Sequence, residues 1–367
     1  MPLKKNTSLR TEDTQLLSIF KAHFKGELHL SRIRLICHFI TALCKVKSVN
    51  YSKLSVGFDS KASTLSCFRR IQRFMAESSL SMEMVAKFIF ELLPEKSALT
   101  LVMDRTNWKF GQKNINILML GVSYRNVAFP LMFTMLDKRG NSNEEERIAL
   151  VKRFIQWFGR ERIDCLLADR EFVGQHWIGF LNENGIRYHI RIRNNFKVYC
   201  FKKNRKVTAF HWFHHLKINQ CCHSPKIVRM HGELCYLSGV KTVRNGNIEY
   251  LIIVSYNKPE EALEYYRERW QIETLFKALK SSGFNIEDTH VTQLDRVEKL
   301  FMLTMIAFVW CYKIGDFIDR NIKPITIKKH GRRAVSVFKN GLDCLSNWLL
   351  TNFNKLKINF INFLSCT

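Results

Sequence analysis

The chain has 367 residues, enough to bury a sizeable core and to form two or three domains. Lys and Arg exceed Asp and Glu by 58 − 32 = 26 charges. Such an excess opposes compaction unless a polyanion offsets it, so we expect nucleic acid as the partner. A basic protein that lies on a membrane surface is the less favoured alternative.

One apolar stretch raises the question of a membrane span. Residues 300–312 are largely apolar, and Lys299 and Lys313 flank them. A span needs about 20 apolar residues, so this stretch predicts a core helix and no membrane association. The first residues, Met-Pro-Leu-Lys-Lys, do not resemble a signal peptide.

The cysteines indicate a reducing compartment. Their number, eleven, is odd, and no two of them form a Cys-x-x-Cys pair. We therefore expect reduced thiols and a cytoplasmic protein. Histidines and cysteines cluster between residues 211 and 235, but their spacing matches no zinc finger. The prediction for this cluster is a set of basic or half-buried residues in a β segment, with structural zinc as the alternative.

Residues 1–97 predict an all-α region that binds DNA. A short helical piece at 51–56 and a turn at 57–60 precede a helix that Ser63 caps and that extends to Met75. Leu65 is expected on the inward face, whereas Arg69, Arg70 and Arg73 point outward. A basic helix after a turn can enter a major groove, and the alternative is a solvated face. A last helix at 82–93 and a linker at 94–97 complete the region.

The next segment, 98–193, has the pattern of an α/β core. Apolar runs at 99–103, 115–122 and 127–133 predict three antiparallel strands, and 163–168 and 186–192 predict two more. A capping box at 142–145 predicts the start of one helix, and a second helix is expected around 177–181. Asp104 and Asp169 follow the first and fourth strands. Ligand sites in open α/β sheets lie beyond such carboxyl ends.

A β-rich insertion is expected at 194–257, followed by a helix with a polar signature. Asn245-Gly246 between two apolar runs is a strong hairpin signal. At about 100° per residue of one continuous helix, Tyr266, Arg269, Glu273 and Lys280 share an arc of about 60°. The alternative is an ordinary surface helix with ion pairs. We assign 258–320 to the second part of the core and 321–367 to a C-terminal helical region.

Three blocks of residues resemble the signatures of bacterial insertion-sequence transposases, the cut-and-paste DDE enzymes. They are 104–108 (Asp-Arg-Thr-Asn-Trp), 168–172 (Ala-Asp-Arg-Glu-Phe) and the Tyr-x2-Arg-x3-Glu-x6-Lys run of 266–280. Their order along the chain strengthens the signal. The resemblance implies a ribonuclease H-like mixed sheet in which the first and fourth strands are neighbours. It also implies that the preceding helices recognise terminal inverted repeats, and that an aromatic residue of the insertion stacks on a flipped base; Trp212 and Tyr250 are the candidates.

The resemblance also implies a metal site. Carboxylates are the ligands that Mg²⁺ prefers, and two ions about 3.5 to 4 Å apart serve phosphodiester chemistry. Asp104 would bridge two Mg²⁺ ions, for which Mn²⁺ can substitute, while Asp169 and Glu273 each hold one of them. Tyr266, Arg269 and Lys280 would bind DNA phosphates. Competing carboxylates are Asp137, Asp164, Glu171 and Glu268.

The expected function is therefore that of a DNA transposase, in a bacterial cytoplasm and associated with the nucleoid. It would bind double-stranded DNA as a homodimer, cleave the ends of its element and join them to target DNA. The resemblance implies that cleavage passes through a hairpin at the DNA end. One alternative is a nuclease of the same fold without strand transfer. The other is an inactive DNA-binding relative that acts as a repressor.

Overall fold

The structure is a computed structural model that describes residues 8–224, 226–329, 331–351, 356 and 358–365. The ends of the predicted first and last regions, 1–7 and 366–367, lie outside these residues. The chain forms two compact units. Unit 1 consists of Met1–Leu93, Trp108–Ile115 and Phe276–Thr367, and unit 2 of Pro94–Asn107 and Asn116–Leu275. The architecture is mixed α/β, as expected, with one large mixed sheet.

Unit 1 is built mainly from helices. The helices that lie wholly within it are α1 Ser8–Phe24, α2 Leu30–Val46, α3 Tyr51–Val56, α4 Thr64–Glu77, α5 Met82–Glu91, α11 Leu294–Asn321 and α12 Val337–Thr351.

Helix α11 forms the centre of unit 1. It packs against α2 and α12, and its residues between Val297 and Ile318 are mostly buried. The helix is longer than the apolar stretch from which we predicted it. By length and composition it could cross a membrane, but 83% of its most apolar window is buried inside the protein, as in a core helix.

The predicted basic helix is α4. The side chain of Ser63 accepts a hydrogen bond from the N–H of Ser66, which confirms the predicted cap. Arg69 and Arg73 are exposed and Arg70 is half-buried. The inward position of Leu65 was wrong, since this side chain is 67% exposed. It lies in the first turn of α4, and the buried face begins only with the next turn.

Unit 2 contains most of the sheet. Its strand order is β3-β2-β1-β4-β5-β11-β10-β9-β6-β7, and β8 pairs with β10. The strands are β1 Leu99–Phe110, β2 Lys113–Tyr124, β3 Val127–Met135, β4 Ile163–Ala168, β5 Tyr188–Ile192, β6 Lys197–Cys200, β7 Arg205–Thr208, β8 Cys221–His223, β9 Val228–Met230, β10 Glu233–Arg244 and β11 Asn247–Ser255.

Strands β1 and β4 are parallel neighbours. Their register pairs Met103 with Ala168, the last pair of the ladder. Asp104 and Asp169 follow this pair directly. The prediction that the first strand ends at Asp104 was wrong, because β1 continues to Phe110. What ends near Asp104 is the pairing with β4.

The insertion joins the sheet instead of standing apart from it. Strand β11 pairs antiparallel with β5, and β10 pairs with β11 through the predicted hairpin. Asn245 and Gly246 both have positive φ, 50° and 78°, which is typical of a two-residue hairpin turn. The insertion is therefore continuous with the sheet that carries Asp104 and Asp169.

The remaining helices are α6 Glu144–Phe158, α7 Gln175–Glu183, α8 Phe210–Phe213, α9 Ala262–Glu268 and α10 Gln271–Lys280. The capping box of α6 is shifted by one residue from the prediction and joins Asn143 to Glu146. The N–H of Glu146 needs a partner at the third helical position, and the Asn143 side chain supplies it.

The signature helix is not continuous, contrary to the prediction. A turn at Arg269 and Trp270 separates α9 from α10. Backbone bonds from Trp270 N–H to Arg267 and from Glu273 N–H to Trp270 span three residues instead of four. The buried residues before and after this turn keep the spacing of a helix. The sequence pattern therefore did not reveal the tighter turn between them.

Candidate active site

The parallel register of β1 and β4 places two carboxylates at neighbouring positions. Asp104 and Asp169 each follow the last paired residue of their strand. Neighbouring strands lie about 4.8 Å apart, so these two residues leave the ladder side by side. Asp169 is half-buried, and the side chain of Asp104 is 18% exposed.

The carboxylate of Asp104 lies in a mostly buried, polar environment. Its Oδ1 accepts a hydrogen bond of 2.7 Å from the N–H of Arg105, and its Oδ2 accepts one of 3.1 Å from Nη1 of Arg269. Burial raises the pKa of Asp104 to about 6, and the negative charges of Glu171 and Asp169 contribute to the rise. The two donors oppose it. This carboxyl group therefore titrates close to neutral pH.

Arg269 connects two of the predicted acids. Besides Asp104, its guanidinium donates through Nη2 to Oε1 of Glu273. Burial alone would lower the pKa of Arg269, but Tyr266, Asp104 and Glu273 outweigh it, and the pKa lies above its ordinary value. Arg269 stays charged and neutralises the acids on either side.

Tyr266 reaches the third acid. Its hydroxyl donates a 3.1 Å hydrogen bond to Oδ1 of Asp169, and its ring lies 5.9 Å from the guanidinium carbon of Arg269. Burial raises the pKa of Tyr266 well above its ordinary value, so the hydroxyl keeps its proton. Asp104, Asp169 and Glu273 are thus linked through one guanidinium and one phenol.

The donor chemistry of this site fits a hard divalent cation. Three carboxylates on three different elements are the ligands that Mg²⁺ and Mn²⁺ prefer. Within the ranges that the structure describes, no three His, Cys, Asp or Glu side chains are grouped closely enough to hold a metal ion as they stand. The positive charge beside Asp104 and Glu273 is that of Arg269.

Arg105 joins the segments that carry Asp104 and Asp169, and this role was not predicted from the sequence. The guanidinium of Arg105 contacts Glu171 at 3.3 Å and donates to Oδ1 of Asn116 at 3.0 Å. Glu171 was predicted only as a competing carboxylate. Arg105 follows Asp104, and Glu171 lies two residues after Asp169, so proximity to the acids in sequence was the available signal.

A second supporting contact holds the turn between α9 and α10. Gln271 Oε1 accepts from the N–H of Tyr124 at 2.9 Å and from the hydroxyl of Ser123 at 3.0 Å. The Ser123 hydroxyl carries one proton, which it shares between Gln271 and a carboxylate oxygen of Glu268. Another predicted competitor, Asp164, pairs with Arg187 at 2.7 Å. Glu268 and Asp164 are therefore engaged in contacts that fix β2, β4 and the signature segment.

The other predicted DNA-contacting residues belong to unit 1. Lys280 forms an ion pair of 2.7 Å with Glu287 and lies 5.6 Å from the centre of the Trp108 ring. On α4, Arg69 donates to the side chain of Gln72 at 3.0 Å.

The aromatic residues of the insertion that we singled out are partly covered. Trp212 and Tyr250 are half-buried, and the Tyr250 ring packs edge-on against Phe210 at 5.1 Å. The nearby histidines stack on one another, with His211 and His214 5.6 Å apart.

Comparisons with known proteins give one family. The family model described as "Transposase DDE domain" matches residues 99–310, which is 212 of the 367 residues. No curated protein sequence matches the chain. Among solved structures, the chain is similar to the cryo-electron microscopy structure of a piggyBac transposase synaptic complex with hairpin DNA. The identity is 12% and the TM-score 0.45, over 95% of this chain and 80% of that one.

The matched region begins with β1, ends within α11 and includes Asp104, Asp169, Glu273 and Arg269. It covers more than half of the protein. The chain belongs to the transposase DDE domain family.

Proposed function

We propose that this chain is a DNA transposase of the bacterial insertion-sequence type, with a ribonuclease H-like core. One observation carries the proposal: three acids from distant parts of the sequence are linked in unit 2 through Arg269 and Tyr266. Transposition is a reaction of phosphodiesters, and it requires acids that hold divalent cations beside a scissile phosphate.

Asp104, Asp169 and Glu273 would hold the metal ions. Members of this family generally use divalent metals. Two Mg²⁺ or Mn²⁺ ions, when bound, would activate a water or a 3′-hydroxyl and neutralise the charge on the phosphate and the leaving oxygen. Although burial raises the pKa of Asp104 to about 6, this carboxyl group is still mostly ionised above neutral pH, as metal binding requires.

Arg269 would bind the DNA phosphate beside the scissile bond. Its guanidinium is charged, mostly buried and held between two carboxylates. Divalent cations bound to those two carboxylates would replace the positive charge of Arg269. The guanidinium would then be available to bind a phosphate oxygen. Tyr266 would orient Asp169 through its hydroxyl, and both Tyr266 and Lys280 would contact DNA phosphates.

The remaining parts of the proposal concern recognition and assembly. The helical region 1–97 would recognise the terminal inverted repeats, with Arg69, Arg70 and Arg73 of α4 at the DNA. The catalytic core would comprise 98–193 and 258–320, with 194–257 as the insertion and 321–367 as the C-terminal region. The protein would act as a homodimer on double-stranded DNA, in the cytoplasm at the nucleoid. It would join the released 3′-ends to target DNA, with a hairpin as the cleavage intermediate.

The decisive experiment uses the purified full chain with Mg²⁺ and a duplex that carries the inverted repeat flanking its gene. We expect strand cleavage at the repeat and joining of the 3′-end to a supercoiled plasmid. Cleavage without joining would favour a nuclease of the same fold. Binding to the repeat without cleavage would favour an inactive relative that acts as a repressor.

A further inference from the structure

A second basic surface lies on the insertion, away from the three acids in sequence. Residues 194–257 contain ten Lys and Arg and two acids, Glu233 and Glu249, a net charge of 10 − 2 = +8. The positive charge of this segment is thus almost uncompensated from within.

The register of the sheet aligns part of this charge in one row. Tyr199 of β6 pairs with Lys206 of β7 on one side and with Arg229 of β9 on the other. Arg229 in turn pairs with Leu234 of β10. Residues paired in this way point to the same face of a sheet. We call these four residues the basic row.

The two faces of these strands differ sharply. Lys206, Arg229 and Leu234 are exposed and Tyr199 is half-buried, as expected for an outer face. Residues next to them in the strands, such as Val198, Val228 and Met230, are buried. The basic row therefore lies on the solvent side of a packed sheet, and its positions are fixed by the core beneath.

The surface over the basic row is concave, and none of the described residues that line it is Asp or Glu. A cleft of about 610 Å³ is lined by Lys197, Lys206, Arg229 and His231, together with Tyr199 and Phe196. Among the residues that the structure describes, Lys197, Lys206 and Arg229 form no ion pair. Charged groups without acidic partners on a fixed surface are available for an external anion.

Aromatic side chains stand among the cations. The guanidinium of Arg229 lies 5.2 Å from the centre of the Phe201 ring, and Phe201 is 46% exposed. Phe201 also packs edge-on against Tyr199 at 5.4 Å. Cations interleaved with exposed rings suit a sugar–phosphate backbone, because phosphates take the charges and sugars or bases take the apolar faces.

We infer that the basic row and its cleft form a further DNA-binding surface of this protein. The inference rests on the proposed function for the identity of the polyanion. Lys206 and Arg229 lie two strand spacings apart, about 10 Å, so both side chains can reach phosphates close together on one strand of a duplex. The two side chains contact phosphates of one strand, and Tyr199 lies between them against the deoxyriboses.

The test is binding of the full chain to a fluorescent DNA duplex, measured by anisotropy in EDTA at several salt concentrations. Lys206→Ala/Arg229→Ala should weaken binding about tenfold and reduce the slope of log affinity against log salt by about 2, for two lost phosphate contacts. Lys206→Arg/Arg229→Lys should keep the affinity of the wild type. Thermal unfolding of each variant shows that the fold is retained, which we expect because both side chains are exposed.

The matched control removes two other exposed cations of the same insertion, in Lys217→Ala/Arg244→Ala. An equal loss in this control would mean that overall charge, and not the basic row, determines binding, and would overturn the inference. Unchanged affinity in Lys206→Ala/Arg229→Ala would also overturn it and would leave an acidic protein segment as the partner of this surface. Because the assay contains no divalent cation, neither result depends on the proposed cleavage chemistry.

Discussion

Arg269 is the residue on which the candidate site is centred. Its guanidinium contacts Asp104 and Glu273, and its charge separates two acids that would otherwise repel each other. Sequence analysis selected Arg269 and Glu273 from their spacing and Asp104 from its strand. The pairing of Arg269 with Glu273, four residues apart, was available from spacing as the alternative of a helix with ion pairs. The pairing of Arg269 with Asp104 was not predictable, because it joins segments far apart in the sequence. Even in the absence of DNA, Arg269 therefore has a structural role, which is to neutralise Asp104 and Glu273.

Replacing Arg269 should therefore cost stability, and divalent cations should restore it. Arg269→Gln leaves two carboxylates without a counter-charge, and we expect a loss of about 2 to 3 kcal/mol in the free energy of unfolding. This is below the usual cost of about 3 to 5 kcal/mol for a fully buried pair, because Glu273 is 36% exposed. Thermal unfolding in EDTA and in Mg²⁺ measures both effects.

The Mg²⁺-induced rise in melting temperature should be larger in Arg269→Gln than in the wild type. Arg267→Gln, which changes an exposed arginine two residues away, is the control and should behave as the wild type. A variant that loses stability but gains no more from Mg²⁺ than the wild type would contradict the view that Arg269 substitutes for the metal charge.

The raised pKa of Asp104 gives a prediction with a definite sign. The folded protein holds this carboxyl with a pKa of about 6, above the ordinary 3.8, so it binds the proton more tightly than the unfolded chain does. Ionisation of Asp104 therefore costs stability above pH 6, and the cost disappears as the pH falls toward 4. At 1.36 kcal/mol per pH unit, the full cost is at most about 3 kcal/mol.

Asp104→Asn removes this titration. The stability of Asp104→Asn relative to the wild type, measured by urea unfolding in EDTA, should be most favourable at pH 8 and should decline between pH 7 and pH 4. The control for the substitution itself is Asp137→Asn, which changes an exposed aspartate. A difference independent of pH would mean that Asp104 is solvated normally.

At the scale of elements, the parallel pairing of β1 with β4 brings the two aspartates together. The apolar runs predicted β4 within its true bounds and the hairpin at Asn245-Gly246, because both depend on local residues. The continuation of β1 to Phe110 and the pairing of β11 with β5 were not predictable. Strand pairing joins segments that are distant in sequence, and the local pattern of apolar residues does not indicate which strand will be the neighbour.

The turn between α9 and α10 depends on Gln271. Gln271→Ala removes the acceptor of the Tyr124 N–H and one of the two acceptors of the Ser123 hydroxyl, and we expect a loss of about 1 to 2 kcal/mol in stability. Because this turn positions Arg269 and Glu273, the rate of DNA cleavage at saturating protein should fall by about tenfold or more, with little change in DNA affinity. Gln156→Ala, on the exposed side of α6, is the control. Equal losses in rate and affinity would argue against a positioning role.

At the scale of the whole molecule, the excess of 26 positive charges dominates the expected behaviour. Composition alone predicted a polyanionic partner, and the family is one of transposases. The location of the charge was not predictable from composition. In unit 2, sheet register collects cations on the basic row, and in unit 1 the exposed Arg69 and Arg73 lie on α4.

Binding to DNA should accordingly be strongly dependent on salt. If six or more phosphates are contacted, affinity for a duplex should fall by about a thousandfold between 50 and 200 mM salt. Anisotropy titrations at four salt concentrations give the slope. An affinity that changes by less than tenfold over this range would show that most of the positive charge does not face DNA.

Asp104, Asp169 and Glu273 are proposed to act together in Mg²⁺-dependent cleavage of DNA. The most direct measurement is the single-turnover rate of cleavage of a duplex that carries the element's end, for Glu273→Gln beside Glu264→Gln, which changes an exposed glutamate of α9. We predict that Glu273→Gln reduces the rate at least a thousandfold and leaves end binding within a few fold, whereas Glu264→Gln cleaves as the wild type does. Cleavage by Glu273→Gln within tenfold of the wild type would contradict the account.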